Sequence, residues 1–153
     1  MYKTRRENGF TVIEIMVVVG IVAILTAIVL PVYEMFGRKA QASEALYHLR
    51  TISTHQRSHR ATEATYLVLH KNPPGDPPAD YLLWGNPGGN WDILGYSLSK
   101  RIRYQYSAEA GSTGDIATSF KITARTDFDG RGQPYDTWEL DSDKNLTHTD
   151  QYK

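Results

Sequence analysis

The sequence predicts an α+β chain: a long N-terminal α-helix, apolar in its first half and amphipathic in its second, packed on an antiparallel β-meander head. Three observations predict it. The run from Phe10 to Leu30 is apolar almost throughout and carries Glu14 as its one charged residue. After it, Ala42, Ala45, Leu46, Leu49 and Ile52 recur at helical spacing. From Ile102 onward, apolar and polar residues alternate in short runs separated by Gly- and Asp-rich turns. The chain has 153 residues, enough for one domain with a real core.

The first nine residues contain Lys3, Arg5 and Arg6 against Glu7, a net charge of +2 in a chain whose formal charge is zero. No overall field therefore favours nucleic acid or an anionic surface. The absence of cysteine excludes a disulfide staple, a thiolate metal site and a Cys nucleophile. A basic start followed by an apolar run is also the pattern of a cleaved secretory signal. Here no small-x-small site with a polar start follows Leu30; Pro31-Val32-Tyr33-Glu34 continues in helix-like sequence. Phe10 to Leu30 is about 21 residues, roughly 32 Å as a helix against a hydrocarbon core of ~30 Å. It can cross a bilayer once, and the preceding cations predict a cytoplasmic N-terminus with the head on the outer side. Within that span a charged group costs about 2.5–3.5 kcal/mol on insertion scales, so Glu14 calls for a partner.

Lys3-Thr4-Arg5-Arg6-Glu7-Asn8-Gly9-Phe10-Thr11-Val12-Ile13-Glu14-Ile15-Met16-Val17-Val18-Val19 closely resembles the class III leader and mature N-terminus of type IV pilins and their pilin-like relatives. The resemblance implies that a membrane peptidase cuts after Gly9 and methylates the new amine of Phe10. It also implies that Glu14, five residues into the mature chain, sets the register between subunits. Pro31 matches the family's proline at the end of the apolar stretch. The physics agrees. A basic amine on Phe10 and a carboxylate on Glu14 are both costly in lipid, and an axially offset neighbour would pair them.

Pro31 removes a helix donor and should kink or loosen the helix between Ala27 and Pro31, and Gly37 is a second weak point. Beyond them, Arg38, Lys39, Gln41, Glu44 and Arg50 occupy much of the polar face, and the helix is expected to end near Arg60. His48, His55 and His59 share an approximate face. The pair at i, i+4 could ligate a metal, but no nearby acid completes a set, and a solvated face is the favoured reading.

Residues 61 to 100 read as irregular. Asn72-Pro73-Pro74-Gly75-Asp76-Pro77-Pro78 and Gly85-Asn86-Pro87-Gly88-Gly89-Asn90 are loops. Tyr81, Leu82, Leu83, Trp84, Trp91, Ile93 and Leu94 would pin them to the core, with Trp84 the best alternative ligand platform. One strand is expected through Ile102, Tyr104, Tyr106 and Ala108, a second through Phe120, Ile122 and Ala124, and a third through Trp138 and Leu140. A short last strand includes Leu146 and His148. This is the layout of the pilin family.

Asp127-Phe128-Asp129-Gly130-Arg131-Gly132 is similar to a calcium loop, with Asp127 and Asp129 as the candidate ligands. Arg131 stands where an oxygen is needed and Trp138 where the bidentate Glu belongs, so a Gly-rich turn is favoured and no metal is expected. Lys100, Arg101 and Arg103 beside Tyr104 and Tyr106 suggest a nucleic-acid strip. On a strand, however, the arginines face away from the tyrosines, and a nucleic-acid partner is not expected. No catalytic pattern is present, so no enzyme activity and no cofactor is expected.

The expected organisation is a cleaved leader 1–9, a transmembrane and filament-core helix 10–33, and an amphipathic half 34–61. A loop region 62–100 and the β-sheet of the head 101–153 complete it. The leading expectation is a major or minor pilin of a type IV pilus serving adhesion, motility or DNA uptake. The alternatives are a pseudopilin of a type II secretion system and a membrane-anchored binding domain that does not polymerise. Expected partners are copies of itself and other pilins, the prepilin peptidase/methyltransferase, the inner-membrane pilus assembly machinery and, before assembly, the lipid bilayer. The expected location is the inner membrane first, then an extracellular pilus or a periplasmic pseudopilus.

Overall fold

The computed structural model describes residues 9–85 and 87–150; Lys3, Arg5 and Arg6 lie outside the described residues. The chain forms two compact units, one ending at Ala40 and the other beginning at Gln41. Helix α1 (Val12–Glu63) contributes to both.

In the first unit the large apolar side chains from Val12 to Phe36 are all exposed. Valine and isoleucine are mediocre helix formers in water. In lipid, the need to satisfy every backbone group internally makes the helix the only open choice. The Thr26 hydroxyl is satisfied the same way, donating to the Val22 carbonyl at 2.8 Å. Pro31 lies inside α1, and the helix continues on both sides of it. The helix ends at Glu63, three residues beyond the expected Arg60. Ala64 stops it by taking a left-handed conformation, φ 59°, while its amide donates to the Arg60 carbonyl at 2.9 Å.

The second unit is the head. Ala45, Leu49 and Ile52 are fully buried and share one core with Tyr106, Phe120, Ile122, Ala124 and Leu140. The helical spacing read from the sequence thus marks the face that packs. Gln56, also fully buried, clamps the chain after the helix. Its Nε2 donates to the Leu67 carbonyl at 2.7 Å and its Oε1 accepts from the Leu67 amide at 2.8 Å.

The strands are β1 (Leu69–Asn72), β2 (Leu82–Leu83), β3 (Arg101–Ile102), β4 (Gln105–Ala110), β5 (Phe120–Thr126), β6 (Asp136–Asp141) and β7 (Leu146–Thr149). One antiparallel sheet has the order β1-β4-β5-β6-β7, and β2 pairs with β3 in a separate ribbon. The row Tyr106, Ala124, Trp138, His148 lies on the core side, and the row Ser107, Thr123, Glu139, Thr147 on the other. On that outer face Lys121 lies 3.1 Å from Glu109 and 3.6 Å from Glu139. The hydrogen bond to Glu109 leads the causes that raise the Lys121 pKa.

The expected meander is present in β4 to β7, with three differences around it. The single strand expected from Ile102 to Ala108 is two strands in two sheets, parted at Arg103 and Tyr104. Burial of Ile102, Tyr104 and Tyr106 continues across the break, so the alternation does not register it. Within the segment read as irregular, β1 adds a fifth strand beside β4, and a short helix α2 (Asn90–Leu94) forms. Gly95, at φ 68°, ends α2 in the left-handed conformation. Trp84 is core rather than a platform, with its ring 5.0 Å from Trp91 and 5.8 Å from Tyr96 in edge-on contacts.

Gly111 closes the β4–β5 connection, its amide donating to the Ser119 carbonyl at 3.1 Å. A Cβ there would stand 2.8 Å from Ser119 Oγ and 2.9 Å from the Phe120 carbonyl oxygen. Gly111→Ala should therefore cost about 1–3 kcal/mol of head stability. An unchanged urea midpoint would show that the backbone relaxes freely there.

Candidate functional site

Thr11 is the residue before α1, and its carbonyl accepts from the Ile15 amide at 3.4 Å. Its hydroxyl accepts from the Glu14 amide at 3.3 Å. In return, Glu14 Oε2 accepts from the Thr11 amide at 2.8 Å and from the Thr11 hydroxyl at 2.7 Å. This is a reciprocal capping box, in which the acid at the third helical position satisfies the helix start. Both contacts converge on Oε2, and among the described residues Oε1 has no hydrogen-bond partner. Phe10, next to this cap, is 84% exposed. Gly9 is exposed too, and a Cβ on it would meet nothing within 4 Å.

Sequence reasoning found Glu14 but missed Thr11. The signal was available as Thr-x-x-Glu immediately before an apolar run. Behind the cap, α1 is long and apolar enough to cross a membrane, and its most apolar 18-residue window is wholly unburied. An uncovered apolar surface of this extent needs a bilayer or other protein to cover it.

The remaining candidates lie in the head. Asp127 Oδ1 accepts from the Gly130 amide at 2.9 Å and Oδ2 from the Gly132 amide at 2.8 Å. Asp129 Oδ1 accepts from the Arg131 amide at 3.0 Å. The two carboxylates hold their own turn. In the basic strip, Tyr104 and Tyr106 are buried. Tyr104 donates to Asp136 Oδ2 at 2.6 Å, and burial, then Asp136, raises its pKa far above the usual phenol value. The Arg103 guanidinium lies over the Phe128 ring at 5.3 Å and is 3.6 Å from Asp80. The tyrosines therefore offer no open stacking face, whereas Lys100 and Arg101 are exposed.

The three histidines of α1 separate. His48 is buried, with Nδ1 2.7 Å from the Tyr96 hydroxyl. Burial lowers its pKa despite Glu44 Oε1 standing 3.5 Å from Nε2. Burial raises the Glu44 pKa, but Lys100, which bonds to it, and His48 together bring it below its usual value. His55 and His59 are only partly buried, His55 contacting the end of α2 and His59 the chain that follows α1.

A capped helix start on an uncovered apolar helix, ahead of an α+β head, fits a chain anchored in a membrane by its N-terminal helix. The family described as prokaryotic N-terminal methylation motif matches residues 4–30. A type IV major pilin protein of Neisseria gonorrhoeae is 50% identical over 166 aligned positions, covering 94% of this chain and 86% of that protein. A fimbrial protein of Neisseria meningitidis serogroup B is 27% identical over 132 residues, 86% of this chain and 65% of the relative. Prepilin peptidase-dependent protein D of Escherichia coli is 51% identical over 41 residues, 27% of this chain and 28% of the relative. The chain thus spans less than two thirds of the meningococcal and Escherichia coli relatives. No solved structure matches at comparable stringency. The chain belongs to the type IV pilin family.

Proposed function

We propose that the chain is a structural subunit of a type IV pilus, made as an inner-membrane precursor, cut between Gly9 and Phe10, and methylated on the Phe10 amine. The observation that carries this reading is the half-satisfied Glu14 carboxylate at the start of an uncovered apolar helix. Cutting after Gly9 leaves the cap intact, because both Thr11 donors lie on the retained side of the bond. The cut turns the Phe10 amide into a basic amine. Oε2 stays on the subunit's own helix start while Oε1 takes the amine of an axially offset neighbour. In a low-dielectric bundle such pairing is strong and selective for geometry. The contact joins two different patches, so its repetition gives an open filament.

Pro31 gives α1 a point where the hydrogen-bond ladder lacks a donor. We assign to it the bend that fits the apolar half into a bundle. The partners are other pilins and the peptidase that processes them, together with the inner-membrane assembly machinery. The precursor sits in the inner membrane with a cytoplasmic leader, and the assembled subunit lies outside the cell. No observation favours the secretion pseudopilin over this reading.

Mass spectrometry of sheared surface filaments tests the proposal. The expected N-terminal peptide begins at N-methylated Phe10. Filaments lacking this chain, or a cell-bound form that retains Lys3 to Gly9, would overturn it.

A further inference from the structure

We propose that His55 and His59 form an open two-histidine site for a borderline divalent transition metal, Zn2+ foremost. They stand one turn apart on α1 and line the same concavity, about 560 Å3, bounded also by Ser58, Thr62, Glu63 and Ile93. His55 Nδ1 lies 3.1 Å from the Leu94 carbonyl oxygen, and His59 Nδ1 lies 2.9 Å from that of Thr65. A carbonyl oxygen only accepts, so both protons reside on Nδ1 and both lone pairs on Nε2. Neither Nε2 has a hydrogen-bond partner among the described residues. Each ring is anchored from outside α1, one by the end of α2 and the other by the chain following the helix. His55 is further fixed edge-on against Tyr96, with ring centres 5.6 Å apart.

A ring whose N–H donates to a backbone carbonyl, leaving the other nitrogen bare and oriented, is the usual arrangement of a metal-ligating histidine. The sequence supplies the i, i+4 spacing; the two carbonyls supply the tautomer, which the spacing alone leaves open. Among the described residues no third His, Cys, Asp or Glu completes a cluster. Solvent therefore fills the remaining positions, as at an open zinc site. Imidazole nitrogen selects Zn2+, Cu2+ or Ni2+ over Mg2+, which prefers oxygen.

The experiment is calorimetric titration of the full mature chain in detergent micelles with ZnCl2. Wild type should bind one Zn2+ with a Kd on the order of 10 μM. His55→Asn and His59→Asn should each weaken binding about tenfold or more. Asparagine places an amide N–H near the former Nδ1, so the carbonyl contact survives and the unfolding midpoint in EDTA should match wild type. A second measurement needs no substitution. Cu2+ should broaden the ring signals of His55 and His59 ahead of those of His48, His70 and His148. No binding at ~1 mM Zn2+, undiminished binding by both variants, equal affinity for Mg2+, or broadening centred on His70 or His148 would each overturn the site.

Discussion

Glu14→Ala is expected to abolish filament assembly, with sheared filaments falling at least about tenfold while the chain accumulates in the membrane at wild-type level. The head should be unaffected, because Glu14 lies in the unit ending at Ala40 and the core is built from residues beyond it. Alanine removes two things together: the return arm of the capping box and the negative charge. Glu14→Gln separates them. A glutamine oxygen can still accept from the Thr11 amide and hydroxyl, as capping boxes allow, but it brings no charge to a neighbour's amine. If the ion pair is what assembly needs, Gln fails like Ala. If the cap were sufficient, Gln would assemble. Thr11→Val makes the complementary change: the charge stays, and the hydroxyl contacts at 2.7 and 3.3 Å disappear. Losing a cap of this kind costs about 1 kcal/mol, so Thr11→Val should reduce filaments only in part. Normal filaments from Glu14→Ala would refute the register assignment.

The parts of the fold legible in the sequence are those where one period runs far enough to be counted. The apolar run and the spacing of Ala45, Leu49 and Ile52 place α1 and its buried face. The alternations around Phe120 and Leu140 place β5, the middle strand of the five, and its neighbour β6. What escaped has local physical causes. Strand β1 buries Leu69 and Asn72 at its ends and exposes the two residues between, with an irregular register against β4, so it shows no period of two. The break at Arg103 and Tyr104 escaped for the opposite reason. The apolar residues Ile102, Tyr104 and Tyr106 keep a period of two across it, and all three are buried, although the pairing partner changes from β2 to β5. At the candidate site, the charge of Glu14 was conspicuous because it is costly, whereas Thr11 sits where a hydroxyl draws no notice until its partner is seen. The tautomers of His55 and His59 were beyond reach, since Leu94 lies 39 positions from His55 and only the folded head brings its carbonyl there.

Gly9→Ser is expected to leave the precursor folded and uncut. The chain itself gives no reason for a glycine at this position: it is exposed, its φ is not in the left-handed range, and a Cβ would meet nothing within 4 Å. Any loss of maturation must then arise in the peptidase cleft, where a side chain beside the scissile bond would obstruct approach. Slowing by about tenfold or more corresponds to a barrier increase of only ~1.4 kcal/mol, a small demand for one misplaced hydroxymethyl group. The uncut form keeps its leader and keeps Phe10 as an amide, so Glu14 of a neighbour has no amine to meet. Gly9→Ser and Glu14→Ala thus remove opposite halves of one pair, and their effects on assembly should not add. The double variant should form no fewer filaments than the weaker single variant, the signature of coupling through a shared contact. Maturation of Gly9→Ser at the wild-type rate would refute the cleavage assignment. Additive losses in the double variant would instead separate cleavage from the Glu14 contact, leaving the acid to act through its own cap on Thr11.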